Sequence, residues 1–136
     1  MNTISYHAAL VYVMVVVSAA DGSMSEKELQ AIGELTRRLP VFNDFDRDRL
    51  LALARDCSAI LQEGDGLATV LALVRDALPD HLRETAYWLA LEVALTDSKV
   101  AMEEIRVIET LRHALDIDRL VAAALERGAR ARYQTA

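Results

Sequence analysis

Apolar positions along the chain form two kinds of segment. Segments 8–20 and 85–95 are apolar on nearly every side. Each is followed by a segment whose apolar residues recur with helical spacing, such as Ile32, Leu35 and Leu39. A helix that is apolar all round must be buried all round, whereas an amphipathic helix packs one face on a core. The pattern predicts an all-α domain with two central buried helices.

The first apolar segment could also indicate a strand, a membrane span or a signal peptide. Val15-Val16-Val17 favours a strand, but the matching segment 85–95 has a helical pattern. Segment 8–20 is too short to cross a bilayer, which needs about 20 residues. Ser18-Ala19-Ala20 has the small residues of a cleavage site, but no Lys or Arg precedes the apolar run as a signal peptide requires. We therefore expect a buried helix.

Turn and capping residues predict about seven helices. Ser25 and Glu28 have the spacing of a capping box, and Pro40 ends the helix that follows them. Gly128 and the nearby Arg127, Arg130 and Arg132 predict a frayed or exposed end for the last helix. The predicted helices after Pro40 cover about 47–62, 66–78, 81–95, 103–115 and 118–127.

The second half of the chain repeats the pattern of the first half 76 positions later. Asp21 then aligns with Asp97, and Glu28 aligns with Glu104. The apolar positions of the following helices also coincide, although few residues are identical. These matches indicate an internal duplication. We predict one domain over 1–136, with pseudo-repeat halves of about 5–41 and 81–117.

Composition and charge narrow the class of protein. The chain has 136 residues, of which 53% are hydrophobic and 26% charged, as in a globular domain. The net charge of −6 argues against general nucleic-acid binding, because phosphate contact needs clustered Lys or Arg. Cys57 is the single cysteine, so an internal disulfide is excluded and a cytoplasmic location is expected. Its place in a helical pattern predicts a small core residue.

Acidic residues follow both central helices. Segment 21–28 reads Asp-Gly-x-Met-x-x-x-Glu, which matches the second half of an EF-hand loop. The positions of the missing first-half ligands are apolar in both copies, so a true EF-hand is excluded. What remains is Asp21 with Glu28 and Asp97 with Glu104, whose oxygens suit Ca²⁺, Mg²⁺ or Mn²⁺. Alternatively these acids only cap turns and helices, although Ala101 offers no capping side chain that would explain Glu104.

Whether these two pairs of acidic residues form one site depends on the relative direction of the two central helices. Parallel helices would bring Asp21 and Asp97 to the same end of the molecule. Antiparallel helices would hold them about a helix length apart, on the order of 25 Å. The sequence leaves both arrangements open.

The two acidic segments form a pair of motifs, Ala19-Ala20-Asp21-Gly22-x-Met24-x-x-x-Glu28-Leu29 and Leu95-Thr96-Asp97-Ser98-Lys99-Val100-x-x-x-Glu104-Ile105. Over nearly the whole chain, this pattern resembles the TerB-like domain of tellurite-resistance proteins. The resemblance implies an all-helical bacterial protein with two central helices. It also implies a divalent metal held by Asp21, Glu28, Asp97 and Glu104. Ser98 departs from the Gly that the family has in the second motif.

Catalysis is not expected. His7, His81 and His113 are far apart in sequence, and the chain has neither a nucleophile motif nor a phosphate-binding Gly loop. No organic cofactor is expected, because Tyr12, Tyr87 and Trp88 have the spacing of core residues.

Two functions follow. The first is a non-catalytic, metal-binding TerB-like protein of tellurite resistance or stress response. The alternative is a helical protein–protein interaction module in which the acids are only caps. Related domains occur in a membrane-anchored J-domain co-chaperone, so the partner could be a chaperone or a membrane-associated protein. No nucleic-acid partner and no membrane span are expected.

Overall fold

The computed structural model describes residues 3–20, 22, 24–96 and 100–136. Within these ranges the chain forms seven α-helices, which confirms the predicted all-α class. In chain order the helices are α1 (Tyr6–Ser18), α2 (Glu26–Arg38), α3 (Leu50–Leu61), α4 (Gly66–Ala77), α5 (Arg83–Ala94), α6 (Met102–Ala114) and α7 (Arg119–Arg132).

Helices α1 and α5 form the centre of the molecule. In α1 every residue from Ala8 to Ser18 is buried, and most of α5 is buried too. Among the described residues, these two helices contact each other more extensively than any other pair. Helices α3 and α4 pack on α1, whereas α7 packs on α5. The pattern of all-round apolar segments therefore predicted both central helices correctly.

The two central helices run in the same direction. His7, in the first turn of α1, donates from Nε2 to the carbonyl of Val41 (2.8 Å). Val41 also lines one groove with Glu84, from the first turn of α5, and another with Tyr6 and Leu82. Both central helices thus begin beside the same segment and pack along each other. Their C-terminal ends consequently lie at the same end of the molecule, which we call the corner end.

Helix boundaries keep the predicted offset. Helix α2 begins at Glu26 and α6 at Met102, 76 positions later, and both have 13 residues. Helices α1 and α5 end at Ser18 and Ala94, again 76 positions apart. The spacing of these elements supports the duplication, which itself stays a prediction.

The last helix is longer than its sequence indicates. Helix α7 does not end at Gly128 but continues to Arg132. A Cβ atom at Gly128 would lie 3.6 Å from the ring of Trp88 on α5, so this glycine packs against the central helix. Packing here outweighs the low helix propensity of glycine.

Several predicted core residues are confirmed. Tyr12, Tyr87 and Cys57 are buried. Phe42 is also buried, and its ring lies 5.6 Å from that of Phe45 between ring centroids. No helix in the described part of the chain is long and apolar enough to cross a membrane.

Candidate functional site at the corner end

Glu28 lies in the first turn of α2. Its Oε1 accepts the backbone N–H of Ser25 (2.9 Å), while Ser25 Oγ accepts the backbone N–H of Glu28 (3.1 Å). These reciprocal bonds form the predicted capping box. The Glu28 side chain is nevertheless buried, with Glu28 only 2% exposed. A carboxylate so well buried is unusual unless it is paired or hydrogen-bonded.

Glu104 occupies the equivalent position in α6. Its Oε1 accepts the backbone N–H of Ala101 (3.0 Å), and Glu104 is 3% exposed. The expectation that Ala101 leaves Glu104 without a capping role is therefore wrong. The carboxylate satisfies the backbone donor by itself, and no side-chain acceptor at position 101 is needed. Both acids thus form the same backbone bond at the same helix position.

The fold brings these two helix starts to one end of the molecule. Helix α2 follows α1 and α6 follows α5, and α1 and α5 both finish at the corner end. The N-termini of α2 and α6 therefore lie at the corner end. The partial positive charge of a helix N-terminus favours a carboxylate such as that of Glu28 or Glu104. The structure therefore favours the parallel arrangement that the sequence left open.

The other two predicted ligands, Asp21 and Asp97, lie outside the described residues. Gly22, next to Asp21, has a φ of +100°, a conformation that favours glycine, and its N–H donates to the carbonyl of Ala19 (3.0 Å). A sharp turn at the glycine is also what an EF-hand loop has at this position. Within the described ranges, no three His, Cys, Asp or Glu side chains form a group able to hold a metal ion. The four-carboxylate site stays a prediction.

The chemistry at the corner end is that of hard oxygen ligands. A carboxylate offers about four lone-pair positions, so a bond from one oxygen to a backbone N–H is compatible with coordination of a cation. The Cys57 thiol and the His7 imidazole, which softer metal ions prefer, are not suited to such a site. Burial raises the pKa of the Cys57 thiol to about 12, so the thiolate is scarcely populated at neutral pH. His7 is engaged by Val41, as described above.

One buried acid was not predicted. Glu92 lies on central helix α5, is 2% exposed, and accepts from Arg132 Nε through its Oε1 (2.5 Å). That hydrogen bond raises the pKa of the Arg132 guanidinium. A glutamate within the apolar segment 85–95 could have indicated a buried ion pair. The sequence did not identify its partner, because Arg132 lies 40 positions away. The pair joins the end of α7 to α5 near the corner end.

Comparison with known proteins identifies the family. The family model described as "Tellurite resistance protein TerB" matches residues 7–126, which include both central helices and both acidic motifs. Comparisons with curated proteins and with solved structures gave no match. Since the family match spans most of the sequence and agrees with the all-α fold, this chain belongs to the TerB family of tellurite resistance proteins.

Proposed function

We propose that this protein is a non-catalytic TerB protein that binds one divalent metal ion at its corner end, in a tellurite-resistance or stress response. The ligands would be Asp21, Glu28, Asp97 and Glu104. The observation that supports this proposal is the pair of buried carboxylates, Glu28 and Glu104, at equivalent positions of two helices that begin at the same end.

Chain connectivity favours a single shared ion. Asp21 lies in the connection from α1 to α2, and Asp97 lies in the connection from α5 to α6. Both connections follow central helices that finish at the corner end. The two carboxylates of one half of the chain bind a hard cation weakly, whereas the four carboxylates of both halves approach the six to eight oxygens that Ca²⁺ takes. Four acids near one another would also repel, and a cation relieves that repulsion.

A thermal melt of metal-stripped protein tests whether any ion binds. Ca²⁺, Mg²⁺, Mn²⁺ and Zn²⁺ are added in turn. A ligand at a hundred times its dissociation constant stabilises the folded state by about 2.7 kcal/mol, which raises the midpoint by several degrees. We expect a rise with one of the oxygen-preferring ions that disappears in Glu28→Gln and Glu104→Gln. These variants keep an oxygen acceptor for the capping bond but lose the charge.

The matched control is Glu26→Gln, in an exposed residue of the same first turn as Glu28. It should respond to metal as the wild type does. If no ion changes the midpoint of the wild-type protein, the metal proposal is wrong. The capping bonds of Glu28 and Glu104 would then explain both acids, and the protein would be better described as a helical interaction module.

A further inference from the structure

Ser18, the last residue of central helix α1, has a buried hydroxyl group without a hydrogen bond. The residue is 0% exposed, and no described residue partners its Oγ. Most buried side-chain polar atoms have a partner, because a buried polar group without a hydrogen bond destabilises the folded state. The position of this hydroxyl therefore costs stability unless a further group binds its oxygen.

Other hydroxyl groups in and beside the helices avoid this cost by donating to the backbone. Thr96 Oγ1 donates to the carbonyl of Glu92 (2.9 Å), and Thr36 Oγ1 donates to the carbonyl of Gly33 (2.8 Å). A bond to a carbonyl three or four residues earlier is a common local solution for Ser and Thr. The Ser18 hydroxyl does not form this bond, although α1 provides carbonyl groups at the same spacing.

Ser18 lies at the corner end, on the side of α1 that faces α2. His7 and Ser18 are eleven residues apart, which is about three helical turns, so both lie on the same side of α1. His7 contacts Val41, in the segment that follows α2, and α2 runs from the corner end back to that segment. Ser18 therefore lies toward the start of α2, which carries the buried carboxylate of Glu28.

Chain connectivity also limits the distance between Ser18 and Asp21. The two residues are three positions apart, and an extended chain spans at most about 3.6 Å per residue, or about 11 Å here. The N–H of Ala20 donates to the carbonyl of Val17 (3.2 Å), so the chain turns directly after Ser18. An oxygen from Ser18 is therefore compatible with the proposed set of carboxylate ligands.

A hydroxyl oxygen is suited to complete the coordination of a hard cation. It has two lone pairs, and hard cations bind neutral oxygens as well as carboxylates. Four carboxylates supply four oxygens when each binds through one atom, whereas Ca²⁺ takes six to eight ligands and Mg²⁺ is octahedral. A neutral ligand also adds no charge to a site that already holds four acids.

We propose that Ser18 Oγ is a fifth protein ligand of the divalent ion bound at the corner end. This inference rests on the proposed metal site and adds a residue that lies outside both acidic motifs. The equivalent position in the second half, 76 residues later, is Ala94, which has no hydroxyl. The first half would therefore supply three ligands and the second half two.

Ser18→Ala tests the proposal in the metal-free and the metal-bound protein. In EDTA the variant loses a buried hydroxyl without a partner, so the melting temperature should rise by about 3 °C or more. Isothermal titration with Ca²⁺, Mg²⁺ and Mn²⁺ should show the opposite effect. For each ion that the wild-type protein binds, the dissociation constant should increase about tenfold or more, since even residues that only orient ligands contribute about 10–100-fold.

Two control variants separate this effect from general changes in helix stability. Ser58→Ala makes the same substitution within α3, next to Cys57, and should raise the melting temperature by about 2 °C or less. Thr36→Val removes a buried hydroxyl that has a partner, so its melting temperature should not rise. Neither control should change the dissociation constant for metal by more than about twofold.

The results distinguish failure of this proposal from failure of the proposed function. Equal dissociation constants for Ser18→Ala and wild type would overturn the role of Ser18 and leave the four-carboxylate site intact. A melting temperature in EDTA no higher than that of Ser58→Ala would also overturn it, because the hydroxyl would then be satisfied without metal. If the wild-type protein binds none of the three ions, the proposed function is wrong and the role of Ser18 is wrong with it.

Discussion

Replacement of Glu28 by alanine should destabilise the protein even when no metal is present. The change removes the acceptor of the Ser25 N–H bond and a negative charge in the first turn of α2. A hydrogen bond to a charged group contributes about 1.5–3 kcal/mol, and a favourable charge at a helix N-terminus about 0.3–1 kcal/mol. Measured losses of helix caps are about 0.5–2 kcal/mol. We therefore expect a loss of about 2 kcal/mol.

The melting temperature converts this loss into an observable shift. Unfolding entropy is about 2.1 cal/mol/K per residue, or about 0.29 kcal/mol/K for a chain of this length. A loss of about 2 kcal/mol then lowers the midpoint by about 7 °C. The assay is circular dichroism at a helical wavelength in EDTA, so that metal binding does not contribute.

Two controls separate the capping bond from charge alone. Glu28→Gln keeps an oxygen acceptor and should lower the midpoint by about half as much or less. Glu26→Ala removes an exposed charge from the same turn and should lower it by about 2 °C or less. If Glu28→Ala melts within about 1 °C of the wild type, the capping bond does not stabilise the fold as argued.

Three further perturbations have definite outcomes. Arg132→Leu leaves the buried Glu92 without its ion-pair partner. Because the Arg132 side chain is 59% exposed, we expect the free energy of unfolding, measured in urea, to fall by about 1–3 kcal/mol, which is less than for a fully buried pair. An unchanged free energy of unfolding would contradict the pairing. Cys57, with its pKa raised to about 12, should react with a thiol reagent at pH 8 only after unfolding, and rapid reaction of the native protein would refute its burial. Gly66→Ala should lower the melting temperature, because the new Cβ atom would lie 2.4 Å from the carbonyl oxygen of Ile60. Gly33→Ala, which has open space around it in α2, should raise the melting temperature by an amount equivalent to about 0.5–1 kcal/mol of stability. Shifts of the same sign in the two variants would contradict this local geometry.

Features encoded within a few residues could be predicted from the sequence. The all-round apolar character of 8–20 and 85–95 predicted the buried helices, because such a surface cannot face water. The spacing of Ser25 and Glu28 predicted the capping box, because both partners lie within one helical turn. Family resemblance then extended these local predictions to the whole fold.

Features that depend on distant contacts could not be predicted. The common direction of α1 and α5 depends on how segments far apart in sequence pack, as His7 and Val41 do at the start of α1. The pairing of Glu92 with Arg132, and the continuation of α7 through Gly128, depend on how α7 packs on α5. Glu104 is a different case, because Ala101 has no side chain that could cap the helix. The carboxylate itself caps the backbone.

Isothermal titration of metal-stripped protein, with the ion that raises the melting temperature, tests the central claim most directly. A shared site at the corner end predicts one ion per chain. It also predicts that Asp21→Asn and Glu104→Gln, one from each half, each abolish binding, because both halves supply ligands to the same ion. Two ions per chain, or a variant that loses only half of the sites, would contradict a shared site, and the absence of any binding heat or melting shift would contradict metal binding itself.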